Sequence, residues 1–284
     1  MESQDTQTSI IDIIQEQVRK EESLPVLNPK GMEIQKEATK GVPDFKKLSA
    51  LIRMDPTLTS QVLKTANSPF YRGLGDVETL KDAVVRLGQN EMVNIIMTTV
   101  LKQTFKTKVP LVKKYQTELW NHSVSCAVAS SWLARHLAME ELIAKAFIAG
   151  LIHDMGKLYL LTALEKLIES KRKGFSPSAQ LIEKILTSLH SEMGYDLLSK
   201  WNIPEQYRNI ARDHHIEDYD ASDVLLLLVK TANMVCNKME TNDAEQDISG
   251  IASSKEADLL GLTEIGVAEL EIALEDFKFN NLMV

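Results

Sequence analysis

Three ionisable residues interrupt the apolar stretch IAGLIHDMGKLYLL at residues 148–161. They are His153, Asp154 and Lys157, and apolar residues lie on both sides of them. Burying such groups without partners costs several kcal/mol, so their presence here implies partners. They either hold a metal ion or a phosphate, or they satisfy one another as a polar cluster inside a helical core.

The remaining histidines strengthen the first explanation. All six histidines of the chain lie between residues 122 and 215. Helical spacing predicts that His122 and His153 point inward. His190 lies one turn before Gly194 on the following helix, and His214 and His215 lie together at the end of a fourth, so four helices are expected to deliver imidazole towards a common interior. His136 stands apart near a helix end, and we expect it to be exposed or to cap that helix. Each inward histidine alone is typical of a core residue. Together with Asp154 they match the donors that Zn, Mn, Fe and Ni take from helical bundles.

Helical periodicity governs the elements that must position these residues. It extends from SIIDIIQEQVRKEE at 9–22 to a last amphipathic helix at about 263–278. Residues 79–101 are predicted to form two short helices hinged near Gly88, and Pro204 is predicted to be the first residue of its helix. The His-Asp pair lies inside one continuous predicted helix, residues 140–164. Residues 239–262 are polar and are predicted to form a loop or a weak helix. No segment alternates like a strand, so the fold class is predicted to be all-α.

Composition restricts the class of partner and the compartment. The 284 residues carry a net charge of −8, which argues against a nucleic-acid backbone as the main partner. The two cysteines, Cys126 and Cys236, make no disulfide framework and are expected to be core residues. The acidic start MESQDTQTS is not a secretory signal, and no apolar run reaches the length of a membrane span. We therefore expect a cytoplasmic protein.

The motifs resemble a known family. HDMGK at 153–157 is close to the HDxGK form of the HD-GYP phosphodiesterases in the HD superfamily. The chain as a whole, over about residues 24–218, is more similar to the HDOD domain. The matching stretches are LPVL (24–27), LIRMDPTLTSQVLKTANSPFY (51–71), ETLKDAVVRLG (78–88), LWNHSVSCAVAS (119–130), AFIAGLIHDMGKL (146–158), LHSEMGYDLLSKWNIP (189–204) and the pair at 214–215.

The resemblance implies a domain organisation and a function. An HDOD domain at 24–218 would combine an N-terminal helical subdomain (24–114) with an HD-like bundle (115–218). A helix at 1–23 would precede it, and a helical extension at 219–284 would complete the bundle. The implied function is a bacterial signal-transduction module that binds a protein, or a nucleotide, without turnover. The alternative is a metal-dependent HD-type phosphohydrolase acting on a cyclic dinucleotide or another nucleotide.

The resemblance also implies a ligand set for one or two divalent ions of Fe, Mn, Ni or Zn, although a site without metal stays open. One ion would take His122, His153, Asp154 and Asn233. A second would share Asp154 with His190, His214 and His215.

This chain departs from the pattern in two ways. Asn233 stands where HD-type sites carry Asp, and the lost charge should weaken a dication site. The GYP element is missing after the histidine pair, where the chain reads HHIEDYDASD. Glu118, one turn before His122, is a candidate extra carboxylate. In an active site, Lys157 would meet a phosphate oxygen beside Asp154. A catalytic relic, a structural metal site and a live enzyme all stay open.

The partner expectations follow from the same features. We expect an unidentified signalling protein, with a nucleotide as an alternative ligand, and neither DNA nor a membrane. The amphipathic termini are candidates for a homodimer contact. The NSPFY corner at 67–71 either binds a partner or, as we prefer, docks the first subdomain onto the second.

Overall fold

The computed structural model describes residues 29–40, 43–68, 71, 75–170, 176–241 and 248–282, with side chains up to residue 277. The described residues form α-helices and one short 3-10 helix (Glu140–Leu142), and they contain no strand. The all-α prediction is therefore confirmed. The predicted helix at 9–22 and Phe70 lie outside the described residues. The helices are α1 (Pro29–Ala38), α2 (Phe45–Arg53), α3 (Pro56–Ala66), α4 (Leu80–Lys102), α5 (Pro110–His136), α6 (Ile143–Ile152), α7 (Met155–Glu169), α8 (Ala179–Lys200), α9 (Glu205–Asp213), α10 (Val224–Thr241), α11 (Ile248–Ala252), α12 (Lys255–Leu260) and α13 (Glu264–Leu282).

The described residues divide into two compact units. The first unit contains Thr104–Asn121 and Ile152–Ile216. The second unit contains Leu27–Gln103, His122–Leu151 and Glu217–Val284. The subdomain boundaries expected from the sequence stay a prediction.

In the first unit, α7 and α8 pack along each other through fully buried leucines such as Leu158 and Leu197. Ser178 caps α8, because its hydroxyl accepts a hydrogen bond from the backbone N–H of Leu181. The Thr107 hydroxyl donates to Glu165 of α7 over 2.5 Å, which holds the segment before α5 against this helix. These contacts fix α7, which follows the His153–Asp154 turn and carries Lys157, and α8, which carries His190.

In the second unit, short helices begin at well-formed caps. The Asp55 carboxylate accepts from the backbone N–H groups of Thr57 and Leu58, and Pro56 occupies the first turn of α3. The Asn67 side chain bonds both backbone groups of Val77, the N–H over 2.7 Å and the carbonyl over 2.9 Å. Gly88 has φ 78° and breaks α4, so the predicted hinge is confirmed.

The structure corrects several element boundaries. The continuous helix predicted at 140–164 is wrong, because α6 ends at Ile152 and α7 begins at Met155. The described part of 239–262 is mostly helical, in the end of α10, α11 and α12. Pro204 is the residue before α9 rather than its first helical residue, and its ψ of 146° is extended. The last helix continues to Leu282, beyond the predicted end.

One apolar stretch of the described residues, Glu140–Glu169, is long enough to cross a membrane by length and composition. However, 89% of its most apolar window is buried inside the protein, as in the core helix of a soluble domain. The turn at residues 153–154 also divides it.

Candidate metal centre

The His153–Asp154 pair lies in the turn between α6 and α7. Asp154 has φ −102° and ψ 13°, and it precedes α7 without capping it through its side chain. Its carboxylate is therefore available to other groups, although its exposed fraction is only 1%. The His153 ring is fully buried beside it. The break in the helix thus turns both side chains into the interior.

A close crossing of two helices brings His190 to this turn. A Cβ atom added to Gly156 would collide with the backbone carbonyl oxygen of His190 and would lie 2.5 Å from the backbone nitrogen of Gly194. Only glycine at position 156 permits this approach. The crossing therefore sets the distance between α8 and the Asp154 carboxylate.

Three side-chain atoms form a nearly equilateral triangle. Asp154 Oδ1 lies 3.5 Å from His190 Nε2 and 3.5 Å from His214 Nε2, and the two imidazole nitrogens are 3.3 Å apart. Atoms that each lie about 2.1 Å from a shared ion are about 3.0 to 3.5 Å from one another. The observed spacing fits one first-row transition metal ion bound by these three atoms.

Backbone carbonyl groups orient the rings of His190 and His214 through their Nδ1 atoms. His190 Nδ1 lies 3.1 Å from the carbonyl oxygen of Thr187, and His214 Nδ1 lies 3.0 Å from that of Ala211. A carbonyl only accepts, so each Nδ1 donates, and a neutral ring then keeps its lone pair on Nε2. Backbone support of this kind is typical of metal-binding histidines.

The protonation states of these side chains also favour binding of a cation. Burial alone raises the pKa of Asp154, but Lys157 and the surrounding histidines outweigh it and hold that pKa well below its usual range. Burial lowers the pKa of His190 to about 4, against the opposing attraction of Asp154. At neutral pH these shifts leave the Asp154 carboxylate ionised and the His190 imidazole uncharged, which are the protonation states of metal ligands.

The second carboxylate oxygen of Asp154 has different neighbours. Lys157 Nζ lies 2.6 Å from Asp154 Oδ2, and His153 Nε2 lies 3.5 Å from the same atom. Lys157 was expected to meet a phosphate oxygen, and here it forms an ion pair with Asp154. His153, Asp154 and His214 also offer ligand atoms within 4.8 Å of one another, as do His190, His214 and His215. His215 is exposed, with its ring 4.1 Å from that of His214.

The expected ligand set also included Glu118 and Asn233. Glu118, in the first unit, is 59% exposed and its carboxylate lies 3.9 Å from Lys114. Asn233, on α10 in the second unit, is buried, and its Oδ1 accepts a hydrogen bond from Asn237 over 3.2 Å. The metal-binding roles of these residues stay a prediction.

His122 has a carboxylate partner that the sequence did not reveal. Its Nδ1 lies 3.1 Å from Glu240 Oε2, and its Nε2 lies 3.4 Å from the sulfur of Cys126. Glu240 follows Asn233 by seven residues, two turns along the same face of α10. That spacing was visible in the sequence, but its pairing with a residue 118 positions earlier was not.

Two smaller expectations are confirmed. Cys126 and Cys236 are free and buried, as expected of core cysteines. His136 is exposed at the end of α5, where its ring stacks on Trp132 and its Nδ1 lies 3.6 Å from Glu269.

Known proteins share this fold. A crystal structure of an HDOD domain protein of unknown function from Geobacter sulfurreducens is 19% identical, with a TM-score of 0.73 over 94% of this chain and 96% of that one. A Shewanella amazonensis protein, provisionally named a metal-dependent phosphohydrolase, is 16% identical, with a TM-score of 0.66 over 93% and 99%. A Marinobacter aquaeolei protein, provisionally named a signal transduction protein, is 22% identical, with a TM-score of 0.65 over 92% and 58%. At these identities the likeness concerns the fold.

Sequence comparison identifies the family. An uncharacterised protein from Treponema pallidum (strain Nichols) is 26% identical over 199 residues, 68% of this chain. The matched region spans only 38% of that relative's length. The HDOD domain model matches residues 24–217, which is most of the chain. This chain therefore belongs to the HDOD domain family.

Proposed function

We propose that this HDOD protein is a cytoplasmic regulatory module that transmits a signal by binding a partner protein, without turnover of a substrate. In this proposal Asp154, His190 and His214 hold one divalent transition metal ion. The signal-transduction name given to the structural neighbour from Marinobacter aquaeolei supports the regulatory part. The triangle of ligand atoms supports the metal part.

We infer the absence of turnover from the residue at position 233, which is Asn rather than Asp. The family resemblance places Asn233 where HD-type sites carry Asp, and an amide weakens a dication site there because it supplies no charge. The Asn233 oxygen also accepts a hydrogen bond from Asn237. A single ion without the paired metal lacks the clamp that stabilises both oxygens in phosphodiester cleavage.

The metal would act on conformation. Its three ligands come from the turn before α7, from the middle of α8 and from the end of α9, which are distant in sequence. Binding one ion fixes these elements to one another and stabilises the conformation in which they meet. A partner protein that recognises this conformation would then bind in proportion to metal occupancy. A nucleotide ligand and a homodimer belong to the same proposal as secondary expectations.

The competing function is metal-dependent hydrolysis of a nucleotide. The observation that favours it is the pairing of a carboxylate oxygen with two imidazole nitrogens, a donor set that also activates water in metal hydrolases. The name of the Shewanella amazonensis neighbour points the same way.

Hydrolysis assays discriminate between the two functions. The protein is reconstituted with Mn, Fe, Ni or Zn and incubated with cyclic dinucleotides and linear nucleotides, beside Asn233→Asp and Asp154→Asn variants. We expect no turnover by the parent and tighter metal binding by Asn233→Asp. Turnover by the parent that Asp154→Asn abolishes would establish the enzyme instead.

A further inference from the structure

The two oxygens of the Asp154 carboxylate face different partners. Oδ1 lies 3.5 Å from each of the two imidazole nitrogens, those of His190 and His214. Oδ2 lies 2.6 Å from the ammonium group of Lys157. One oxygen therefore belongs to the triangle that fits a metal ion, and the other is bound by a cation that the chain itself supplies.

We propose that the Lys157 ammonium group occupies the position of a second dication and so limits this centre to one metal ion. This inference rests on the proposed function, because it assumes that the triangle on Oδ1 binds metal. A second ion would use Oδ2 with His153 Nε2, which lies 3.5 Å from it. That ion would lie next to the ammonium group, and two cations sharing one carboxylate oxygen repel each other.

The charge balance of the cluster supports the same conclusion. Asp154 contributes one negative charge and Lys157 one positive charge, so their ion pair is neutral before any metal ion binds. One dication brings the group to a net charge of two, while a second would bring it to four in an interior where Asp154 is 1% exposed. A buried charge excess of this size is strongly unfavourable.

The position of Lys157 suits a cation that stays permanently at Asp154 Oδ2. It lies three residues after Asp154, in the first turn of α7, so the pair is formed within one turn of helix. Its side chain is 28% exposed, so its stem crosses from the surface to the buried carboxylate. Its ammonium group competes with any ion for Oδ2 at very high effective concentration.

The test is the number of metal ions bound at saturation. Elemental analysis and calorimetry with Mn and Zn are performed on the parent and on Lys157→Met, which removes the charge but keeps most of the stem. Lys157→Arg retains the charge, and Lys166→Met removes a charge from the same helix outside the cluster. We expect about one ion per chain in the parent, Lys157→Arg and Lys166→Met, and about two in Lys157→Met.

Each outcome is decisive. One ion in both the parent and Lys157→Met overturns this inference and leaves the proposed metal function intact. No ion in the parent but one in Lys157→Met overturns the proposed function while supporting Lys157 as the resident cation. No ion in either protein overturns both, as does metal that is bound independently of the triangle, unaffected by Asp154→Asn.

A measurement on the parent alone guards against a variant that does not fold. Two Mn ions bridged by the two oxygens of one carboxylate show magnetic coupling in their electron paramagnetic resonance spectrum, whereas an isolated ion shows six lines. We expect the isolated spectrum at saturating Mn. A coupled pair in the parent would overturn the inference.

Discussion

Gly156→Ala is the smallest change that should disrupt the candidate metal centre from a distance. Position 156 contributes no functional group, yet it is the point at which α7 meets the backbone of α8. The added Cβ would collide with the carbonyl oxygen of His190 and lie 2.5 Å from the backbone nitrogen of Gly194. Both atoms are backbone, so no side chain can rotate away to make space.

The magnitude follows from the separation that α8 would need. Ordinary carbon contacts are about 3.5 to 4.0 Å, so α8 would have to retreat by about 1 Å or more, which forfeits much of the dispersion energy along the interface. Overpacking of this kind costs about 3 kcal/mol or more when the backbone must move. Alanine in place of helical glycine returns at most about 1 kcal/mol. We therefore expect a net loss of about 2 to 3 kcal/mol in unfolding free energy.

Gly194→Ala is the matched control on the opposite helix. A Cβ there would lie 3.4 Å from its nearest neighbours, the Cβ of Ala211 and the nitrogen of Gly156, so it is nearly accommodated. Its unfolding free energy should stay within about 1 kcal/mol of the parent. Urea unfolding of both metal-free variants, compared at equal m-value, measures the difference. Equal stability of the two variants would refute the close-crossing argument.

Two further predictions concern the second unit. Lys40 is the main cause that lowers the pKa of Glu37 to about 2, with the backbone N–H of Asp44 and then Lys47 adding to it. This depressed pKa contributes stability that is complete above about pH 4.5 and is lost as the pH falls toward 2. Glu37→Gln should therefore destabilise the protein at pH 7 and flatten the acid side of its stability profile, as measured by urea unfolding at several pH values; an unchanged profile would contradict this. A double-mutant cycle between His122→Asn and Glu240→Gln should give a coupling of about 0.5 to 1 kcal/mol in unfolding free energy, and a coupling of zero would show that the 3.1 Å contact contributes nothing.

The sequence predicted the helices because helical periodicity is local information. Apolar residues at helical spacing indicated the all-α class, and the same spacing placed His122 and His153 inward, where both are buried. The hinge at Gly88 was also visible, since glycine tolerates the φ of 78° that breaks α4. Helix interruption at the functional site was missed, because apolar periodicity continues through residues 153–154. The Asp and Gly at 154 and 156 were the available signal, as Asp is typical of the residue that precedes a helix.

Contacts between residues that are far apart in the chain could not be predicted from the sequence. Glu240 pairs with a histidine 118 positions earlier, and no periodicity links the two. The role of Gly156 depends on the path of α8, which is set by packing rather than by local preference. The ion pair of Lys157 with Asp154 was within reach, since residues three apart in a helix are neighbours. It was not predicted, because Lys157 was expected to contact a phosphate oxygen instead.

The central claim is that Asp154, His190 and His214 hold one divalent transition metal ion. It is tested most directly by elemental analysis of the purified protein, before and after reconstitution with Mn, Fe, Ni and Zn, beside Asp154→Asn. His136→Asn serves as the control, because it removes a histidine that lies outside this cluster. The account predicts about one ion per chain in the parent and in the control, and none in Asp154→Asn. No metal in the parent after reconstitution, or equal metal in Asp154→Asn, would contradict it.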